Sequence, residues 1–195
     1  MPKRSIKAMR RDELVDAAIA VIGEDGLGKA TLASIAGRAG MSTALVNHYF
    51  TGKDELLAAS MRGLSNLLRR DILALLPPDP SPEQRLRAIV DGSFQPQHFT
   101  RGAREAWVQF LVHALHDKAF FHLHQVTGAR FVSNVRYAVR RLVEPARVDD
   151  VVDGITALID GFFWEFAIDR AEDDLARARR ICWDYARSMI PGLEN

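Results

Sequence analysis

Apolar residues recur at helical spacing along most of the chain. In residues 10–24 the spacing i, i+3, i+4, i+7 and i+8 predicts one buried stripe on an amphipathic helix, which is formed by Leu14, Ala17, Ala18, Val21 and Ile22. No stretch shows sustained alternation of apolar and polar residues between hairpin turns, the pattern that predicts strands. The sequence therefore predicts an all-α fold.

Two further short helices are predicted close to the start of the chain. Gly26 is placed to end the first helix, and Thr31 is placed to cap the second. Gly40 closes the second helix, and Ser42 can cap a third that ends near residue 49. Two short helices joined by a tight turn are typical of a helix-turn-helix, so we predict a DNA-binding domain over residues 1–53.

The remaining residues, 54–195, predict a helical domain for effector binding and dimerisation. A connecting helix over residues 54–76 begins with two acidic residues and stops at the proline cluster of residues 77–82. Further helices are predicted over residues 82–94, 101–116, 119–143, 148–170 and 172–190.

The charge is distributed unevenly along the chain. Residues 1–70 contain 11 Lys or Arg and 7 Asp or Glu, a net charge of +4, whereas residues 71–195 contain 15 and 18, a net charge of −3. The first eleven residues carry five cations and no acid, namely Lys3, Arg4, Lys7, Arg10 and Arg11. A basic end on a mildly acidic body is expected if that end contacts phosphate, although a solubilising tail explains it as well.

The composition excludes several other classes of protein. Cys182 is the only cysteine, so no intramolecular disulfide can form, and a reducing cytoplasmic location is expected. The basic residues at the start are not followed by an apolar segment, so no secretory signal is predicted. The chain has no run of ~18 apolar residues, so no membrane span is predicted. We expect no cofactor and no metal site.

The third predicted helix divides into a packing face and an outer face. Met41, Val46 and Phe50 are spaced to pack it onto the second helix. The outer face is small and polar, and consists of Thr43, Ala44, Asn47 and His48. Asn can bind adenine through two hydrogen bonds, and Thr or Ala can contact a thymine methyl group, so this face suits a DNA major groove.

Residues beside this face are candidates for contacts with the DNA backbone. Tyr49 and Lys53 can reach phosphates, and Thr31 can do so with its hydroxyl and amide together. With Ser42 and the outer face, they complete the candidate DNA-binding set of Thr31, Ser42, Thr43, Ala44, Asn47, His48, Tyr49 and Lys53.

Residues 31–57 resemble the TetR family of bacterial repressors in spacing and residue type. The matching stretches are Ile35-Ala36-x-x-Ala39-Gly40-Met41-Ser42 and His48-Tyr49-Phe50-x-x-Lys53-x-x-Leu56-Leu57. The resemblance implies a homodimer that binds a palindromic DNA operator and releases it when a small inducer binds. Many members have Tyr where this chain has Asn47, so their base specificity does not transfer to it.

The chain is more similar still to one branch of the family, the choline-responsive repressors of glycine betaine synthesis. The residues that suggest it are Met1-Pro2-Lys3, Asn47-His48-Tyr49-Phe50, Glu83-Gln84-Arg85-Leu86-x-Ala88-Ile89-Val90, Ala106-Trp107-x-x-Phe110 and Leu158-Ile159-Asp160-Gly161. This resemblance implies an inducer pocket within the body, choline or betaine aldehyde as inducer, and dimerisation through the last two helices.

The body also has side chains suited to a choline-like cation. A quaternary ammonium group is held by aromatic faces with an acid nearby. Our candidates are Trp107, Phe110, Asp160 and Trp164, of which Asp160 and Trp164 share a helix face at i, i+4. The alternatives are a salt bridge for Asp160 and plain core packing for the aromatic residues. The connecting helix is expected to transmit inducer binding to the DNA-binding domain.

Three other functions agree with parts of the sequence. The first is a repressor of an efflux or other catabolic operon that senses a different lipophilic or cationic ligand. This alternative has the same DNA-binding domain and differs only in the inducer. A metalloenzyme would use His113 and His116 or His122 and His124, but this spacing is weak and we expect no enzyme. An adaptor that binds only protein leaves the basic arm and the Thr43 and Asn47 face unexplained.

Overall fold

The computed structural model describes residues 5–168 and 174–193, and within them the protein consists of helices and loops without strands. The nine α-helices of the described residues are α1 (Ile6–Asp25), α2 (Leu32–Arg38), α3 (Thr43–Tyr49), α4 (Lys53–Ala74), α5 (Pro82–Ser93), α6 (Arg101–Ala114), α7 (Lys118–Val139), α8 (Val148–Ile168) and α9 (Leu175–Met189). Two single turns of 3₁₀ helix lie at Pro96–His98 and Pro145–Arg147. The all-α prediction is confirmed.

The predicted helices agree with the observed ones to within a few residues at most ends. The connecting helix, predicted over residues 54–76, is α4 and ends before the proline cluster. The predicted helix over residues 119–143 ends earlier, at Val139, as α7. Residues 169–173, where we predicted the end of one helix and the start of the next, lie outside the described residues, as do Lys3 and Arg4.

The chain forms two compact units. The first unit contains Met1–Asn66 and Thr100–His124, and the second contains Leu67–Phe99 and Gln125–Asn195. Helices α4 and α7 contribute residues to both units. The division into domains at residues 53 and 54 remains a prediction, and the first unit includes α6 as well as α1, α2 and α3.

The core of the first unit joins the N-terminal helices to α6. Its buried residues include Leu14, Ile22, Ile35, Val46, Phe50, Leu57, Met61, Ala106 and Phe110. Helix α1 packs closely against α6, because Gly23 leaves room for the backbone of Gly102. A Cβ atom at Gly23 would lie only 2.3 Å from the Gly102 carbonyl oxygen. The two helices therefore touch backbone to backbone at this position.

The core of the second unit is built around α8. One face of this helix is buried against α5, α7 and α9, with Val151, Val152, Ile155, Ile159, Phe162 and Phe166 inside. Cys182 on α9 is fully buried in the same core. Burial raises the pKa of the Cys182 thiol to about 12, so it stays protonated at neutral pH.

The opposite face of α8 is exposed in the single chain. Trp164 is 40% exposed and Ile168 is 75% exposed. A helix that is apolar on nearly all sides is expected to be covered on more than one of them. None of the described helices is long and apolar enough to cross a membrane.

Candidate DNA interface and effector site

Local hydrogen bonds define the turn between α2 and α3. Thr31 Oγ1 accepts a hydrogen bond from the Ser34 amide at 3.0 Å, and Ser34 Oγ accepts one from the Thr31 amide at 2.9 Å. Gly40 has φ of +63°, which a glycine adopts without steric cost. Ser42 Oγ then accepts from the Leu45 amide at 3.2 Å and begins α3. The predicted caps and the glycine turn are confirmed.

The outer face of α3 is exposed, as the spacing predicted. Thr43, Ala44, Asn47 and His48 are all open to solvent, whereas Val46 and Phe50 are buried. A helix of this kind presents small and polar side chains while its opposite face is held by the core. This is the geometry that base reading in a major groove requires.

The C-terminal end of α3 is held by Arg11, a contact that was not predicted from the sequence. The Arg11 guanidinium donates to the carbonyl oxygen of Tyr49 and lies 4.1 Å from the centre of the Phe50 ring. Its Nη2 atom donates to Glu55 Oε1 at 2.9 Å. Arg11 therefore joins α1 to the end of α3 and the start of α4.

Glu55 completes this network with donors from the loop after α3. The amide of Thr51 donates to Glu55 Oε2 at 2.8 Å, and the Thr51 hydroxyl donates to the same atom at 3.0 Å. These bonds to the backbone of Thr51, to Arg11 and to the Thr51 hydroxyl lower the pKa of Glu55 from 4.5 to about 2. The carboxylate is therefore charged throughout the physiological range.

The candidate phosphate-binding residues already take part in the fold. Lys53 Nζ donates to the carbonyl oxygen of Leu27 at 3.2 Å, which leaves two of its three protons for other acceptors. Thr31 and Ser42 are exposed, but their hydroxyl oxygens serve as helix caps. Tyr49 is half-buried, and its ring packs edge-on against His48.

Two of the four candidate effector residues lie in the first unit, one helical turn apart on α6. Phe110 is fully buried, and its ring stacks on Phe120 with centroids 6.2 Å apart. His113 lies edge-on to Phe120 at 4.6 Å. Trp107 is half-buried and packs against the same core. The structure thus places Phe110 within the core and Trp107 at its margin.

The other two candidates lie in the second unit, on the exposed face of α8. Asp160 and Trp164 share that face, as their i, i+4 spacing predicted. Trp164 contacts Phe163, with ring centroids 6.2 Å apart. Phe163 in turn packs against Phe99, at the edge of an aromatic cluster in the core. Asp160 and Trp164 thus lie on one face of α8 in the second unit, whereas Trp107 and Phe110 lie one turn apart on α6 in the first.

A polar cluster at the end of α4 was not predicted from the sequence. His98 Nε2 lies 2.8 Å from Asp71 Oδ2, an ion-pair distance without the alignment of a directed hydrogen bond. Gln97 Nε2 donates to the same oxygen at 2.8 Å. Burial lowers the pKa of His98, and the nearby Asp71 opposes that effect. The cluster ties α4 to the 3₁₀ turn before α6.

The pair His113 and His116, at and just after the end of α6, and the pair His122 and His124 on α7 do not define a metal centre in the structure. Within residues 5–168 and 174–193, no three His, Cys, Asp or Glu side chains are grouped so that they could hold a metal ion.

Comparisons with known proteins agree with this architecture. Residues 14–60 match the family model of bacterial regulatory proteins of the tetR family, and residues 82–191 match the C-terminal model of BetI-type transcriptional repressors. The HTH-type transcriptional regulator BetI of Klebsiella pneumoniae strain 342 is 36% identical over 193 residues, which cover 98% of this chain and 99% of the relative.

Solved structures show the same fold at lower sequence identity. A TetR transcription regulator from Haloarcula marismortui has a TM-score of 0.82 at 23% identity, covering 94% of this chain and 99% of that one. A transcriptional regulator from Saccharomonospora viridis, solved in complex with choline, has a TM-score of 0.76 at 18% identity. The alignment covers 91% of this chain and 95% of that one.

A helix-turn-helix with an exposed polar face, joined to a helical body, defines a DNA-binding regulator of transcription. The chain belongs to the TetR family and, within it, to the BetI-type transcriptional repressors. Regulators of this family bind operator DNA and small molecules and form dimers.

Proposed function

We propose that the protein represses transcription from a palindromic operator until choline or betaine aldehyde releases it, and that it controls glycine betaine synthesis. The observation that carries this proposal is the match of the body to BetI-type repressors over residues 82–191. The choline bound to the regulator from Saccharomonospora viridis supports the same class of ligand.

The proposed base-reading surface is the outer face of α3. Asn47 is the residue most able to discriminate, because its amide can donate to and accept from one adenine edge. Thr43 and Ala44 lie one turn earlier, at the end of the helix that enters the groove first. His48 completes this face. Lys53, Tyr49 and Thr31 are the proposed contacts to the sugar-phosphate backbone, and Ser42, which caps α3, completes the proposed DNA-binding set.

The proposed inducer site uses aromatic side chains of the body. Trp107 is the first candidate, because it is half-buried and its ring can bind a quaternary ammonium at the edge of the core. Phe110 is buried beneath it on the same helix. Asp160 and Trp164 belong to the second unit and form a separate candidate site, since they place a carboxylate and an aromatic ring on one face of α8.

We further propose a homodimer through α8 and α9. The exposed face of α8 carries two large apolar side chains, Trp164 and Ile168, which a second copy would remove from water. A dimer can present two recognition helices to half-sites one DNA turn apart, roughly 34–36 Å.

The packing of α6 supports a route from inducer to DNA. This helix carries Trp107 and also touches α1 through the close approach of Gly102 to Gly23. A shift of α6 on inducer binding must therefore move α1 or break that contact. Helix α4, which we predicted as the connecting element, provides a second route, because its first half lies in the core of the first unit.

Binding to operator fragments tests the DNA-reading part of the proposal. Replacement of Asn47 by Ala should cost roughly 1–3 kcal/mol on the native operator and less on a fragment with a changed contact base. Lys53→Ala should weaken binding to all sequences alike, although it also removes the contact with Leu27. If N47A bound operator and random DNA as the unchanged protein does, Asn47 would read no base.

Calorimetric titration of choline tests the inducer part. Saturable binding at one site per chain is expected, and Trp107→Ala should abolish it. Phe121→Ala is the matched control, because Phe121 is an exposed aromatic residue in the same unit. If the protein still bound its operator but millimolar choline produced no heat of binding, the inducer would be a different molecule. The protein would then be a repressor of, for example, an efflux operon.

A further inference from the structure

Three arginine side chains surround one tyrosine ring in the second unit. The guanidinium carbons of Arg85, Arg140 and Arg141 lie 5.1, 4.7 and 4.6 Å from the centre of the Tyr137 ring. Stacking on an aromatic face favours each guanidinium separately. Three positive charges so close together nevertheless repel one another, and an anion between them would relieve that repulsion.

No carboxylate neutralises this cluster within the residues that the structure describes. Other arginines of the second unit have acidic partners: Arg136 pairs with Asp149, and Arg187 with Asp184. Among the described residues, no Asp or Glu lies within 4.0 Å of the charged nitrogens of Arg85, Arg140, Arg141 or the neighbouring Arg147. Arg147 Nη2 donates to Met189 Sδ at 3.8 Å, and the remaining donors of the four guanidiniums have no acidic partner within that distance among the described residues.

A surface groove of about 590 Å³ adjoins the cluster. It is lined by Arg140, Arg141 and Arg147, with Glu144 as the one acidic residue. Leu142 and Val143 supply an apolar part of its wall. The groove therefore combines a positive charge with a wall that can take the carbon skeleton of a small molecule.

The dipole at the C-terminal end of α7 explains the position of only two of these four arginines. Arg140 and Arg141 follow the last residue of α7, where a cation is favoured by the helix dipole. Arg85 belongs to α5 and Arg147 to the second 3₁₀ turn, so neither is placed by the end of α7. Three separate elements bring cations to one place.

We propose that this groove, formed by Arg140, Arg141 and Arg147 beside the stacked Tyr137, binds a small polyvalent anion that carries phosphate or carboxylate groups. Guanidinium forks bind both groups through paired hydrogen bonds, which lysine cannot reproduce. The groove differs in sign from a site for a cationic inducer, so its ligand is a second effector. The role as a second effector rests on the proposed cationic inducer, whereas anion binding in the groove can be tested whatever the inducer is.

Titration calorimetry at fixed ionic strength tests this site with two probes, pyrophosphate for phosphate groups and citrate for carboxylate groups. At least one should bind once per chain, and the double variant Arg140→Gln, Arg141→Gln should weaken that binding at least tenfold. The matched control is Arg69→Gln, Arg70→Gln, which removes the same charge from an exposed pair on α4 and should leave the affinity unchanged.

A second variant separates ligand binding from loss of fold. Arg140→Lys, Arg141→Lys keeps the charge but removes the forked donors, and it should retain thermal stability while weakening the probe several-fold. Absence of saturable binding by both probes would overturn the proposal. Equal weakening by the Arg69 and Arg70 control would also overturn it, because the binding would then reflect net charge alone.

Discussion

The guanidinium of Arg11 lies 2.9 Å from the carboxylate of Glu55 and connects the first helix to the start of the fourth. Between them runs the end of α3, whose last carbonyl accepts a hydrogen bond from Arg11. The orientation of the proposed recognition helix thus depends on an ion pair between residues far apart in sequence. Arg11 stabilises the fold of the first unit rather than serving only as part of a basic arm.

Replacement of Arg11 by Gln should therefore lower both stability and operator affinity. We expect a loss of about 1–2 kcal/mol in the free energy of unfolding, because a charged hydrogen bond and a cation–π contact are lost together. Urea unfolding and operator titration measure the two effects. Arg10→Gln is the control: its pair with Glu13 is half-exposed and should contribute less than about 0.5 kcal/mol. Equal effects of the two variants would contradict the assigned role of Arg11.

The same network predicts a dependence of stability on pH. The pKa of Glu55 is about 2 in the folded protein and near 4.5 without its partners. A group whose pKa is lowered by folding contributes stability above its unfolded pKa, and that contribution is lost as pH falls from 4.5 towards 2. Urea midpoints of the unchanged protein should therefore fall more steeply over this range than those of Glu55→Gln. Parallel pH profiles would show that Glu55 is not held as described.

The contact between α1 and α6 can be tested by two glycine substitutions. Gly23→Ala should destabilise the protein by about 1–3 kcal/mol, because its methyl group would overlap the backbone of Gly102. Gly102→Ala is the matched control, since a Cβ there meets no atom within 4 Å and alanine favours a helix. Thermal unfolding of the two variants should thus change in opposite directions. Similar melting temperatures would mean that the helices do not approach so closely.

A similar pair tests the packing of α9 on α8. A methyl group at Gly154 would lie 1.9 Å from the Tyr185 hydroxyl, which donates to the carbonyl oxygen of Asp150. Gly154→Ala should displace that ring at a cost of about 1 kcal/mol or more. Gly128→Ala on α7 is the control, because a Cβ there meets no atom within 4 Å and lies away from the proposed dimer face, so it should be neutral or stabilising. Equal stability of the two variants would refute the close packing of Tyr185 against Gly154.

Features set by short stretches of sequence could be predicted, and those set by distant contacts could not. Thr31, Gly40 and Ser42 act through hydrogen bonds and backbone angles within a few residues, so their roles were evident from spacing. The contact of Gly23 with Gly102 depends on the packing of two helices that are far apart in the chain. No local pattern reveals that a glycine faces another backbone.

The candidate sites follow the same distinction. The exposed face of Asn47 and Thr43 follows from the period of one short helix. For the effector residues, periodicity placed Asp160 and Trp164 on one helix face, but burial depends on the neighbouring helices. Phe110, for example, stacks on Phe120 in the core, which spacing within α6 alone could not indicate.

The most direct test of the proposed function is operator release by choline at constant ionic strength. The protein is titrated onto labelled DNA from upstream of its own gene, with added choline chloride matched in a parallel series by sodium chloride. We expect choline to lower the operator affinity at least tenfold beyond the salt control, and Trp107→Ala to lose most of this response, because the inducer must favour the form that does not bind DNA. If choline weakened binding no more than sodium chloride did, while the protein bound its operator tightly, the assignment as a choline-released repressor would be wrong.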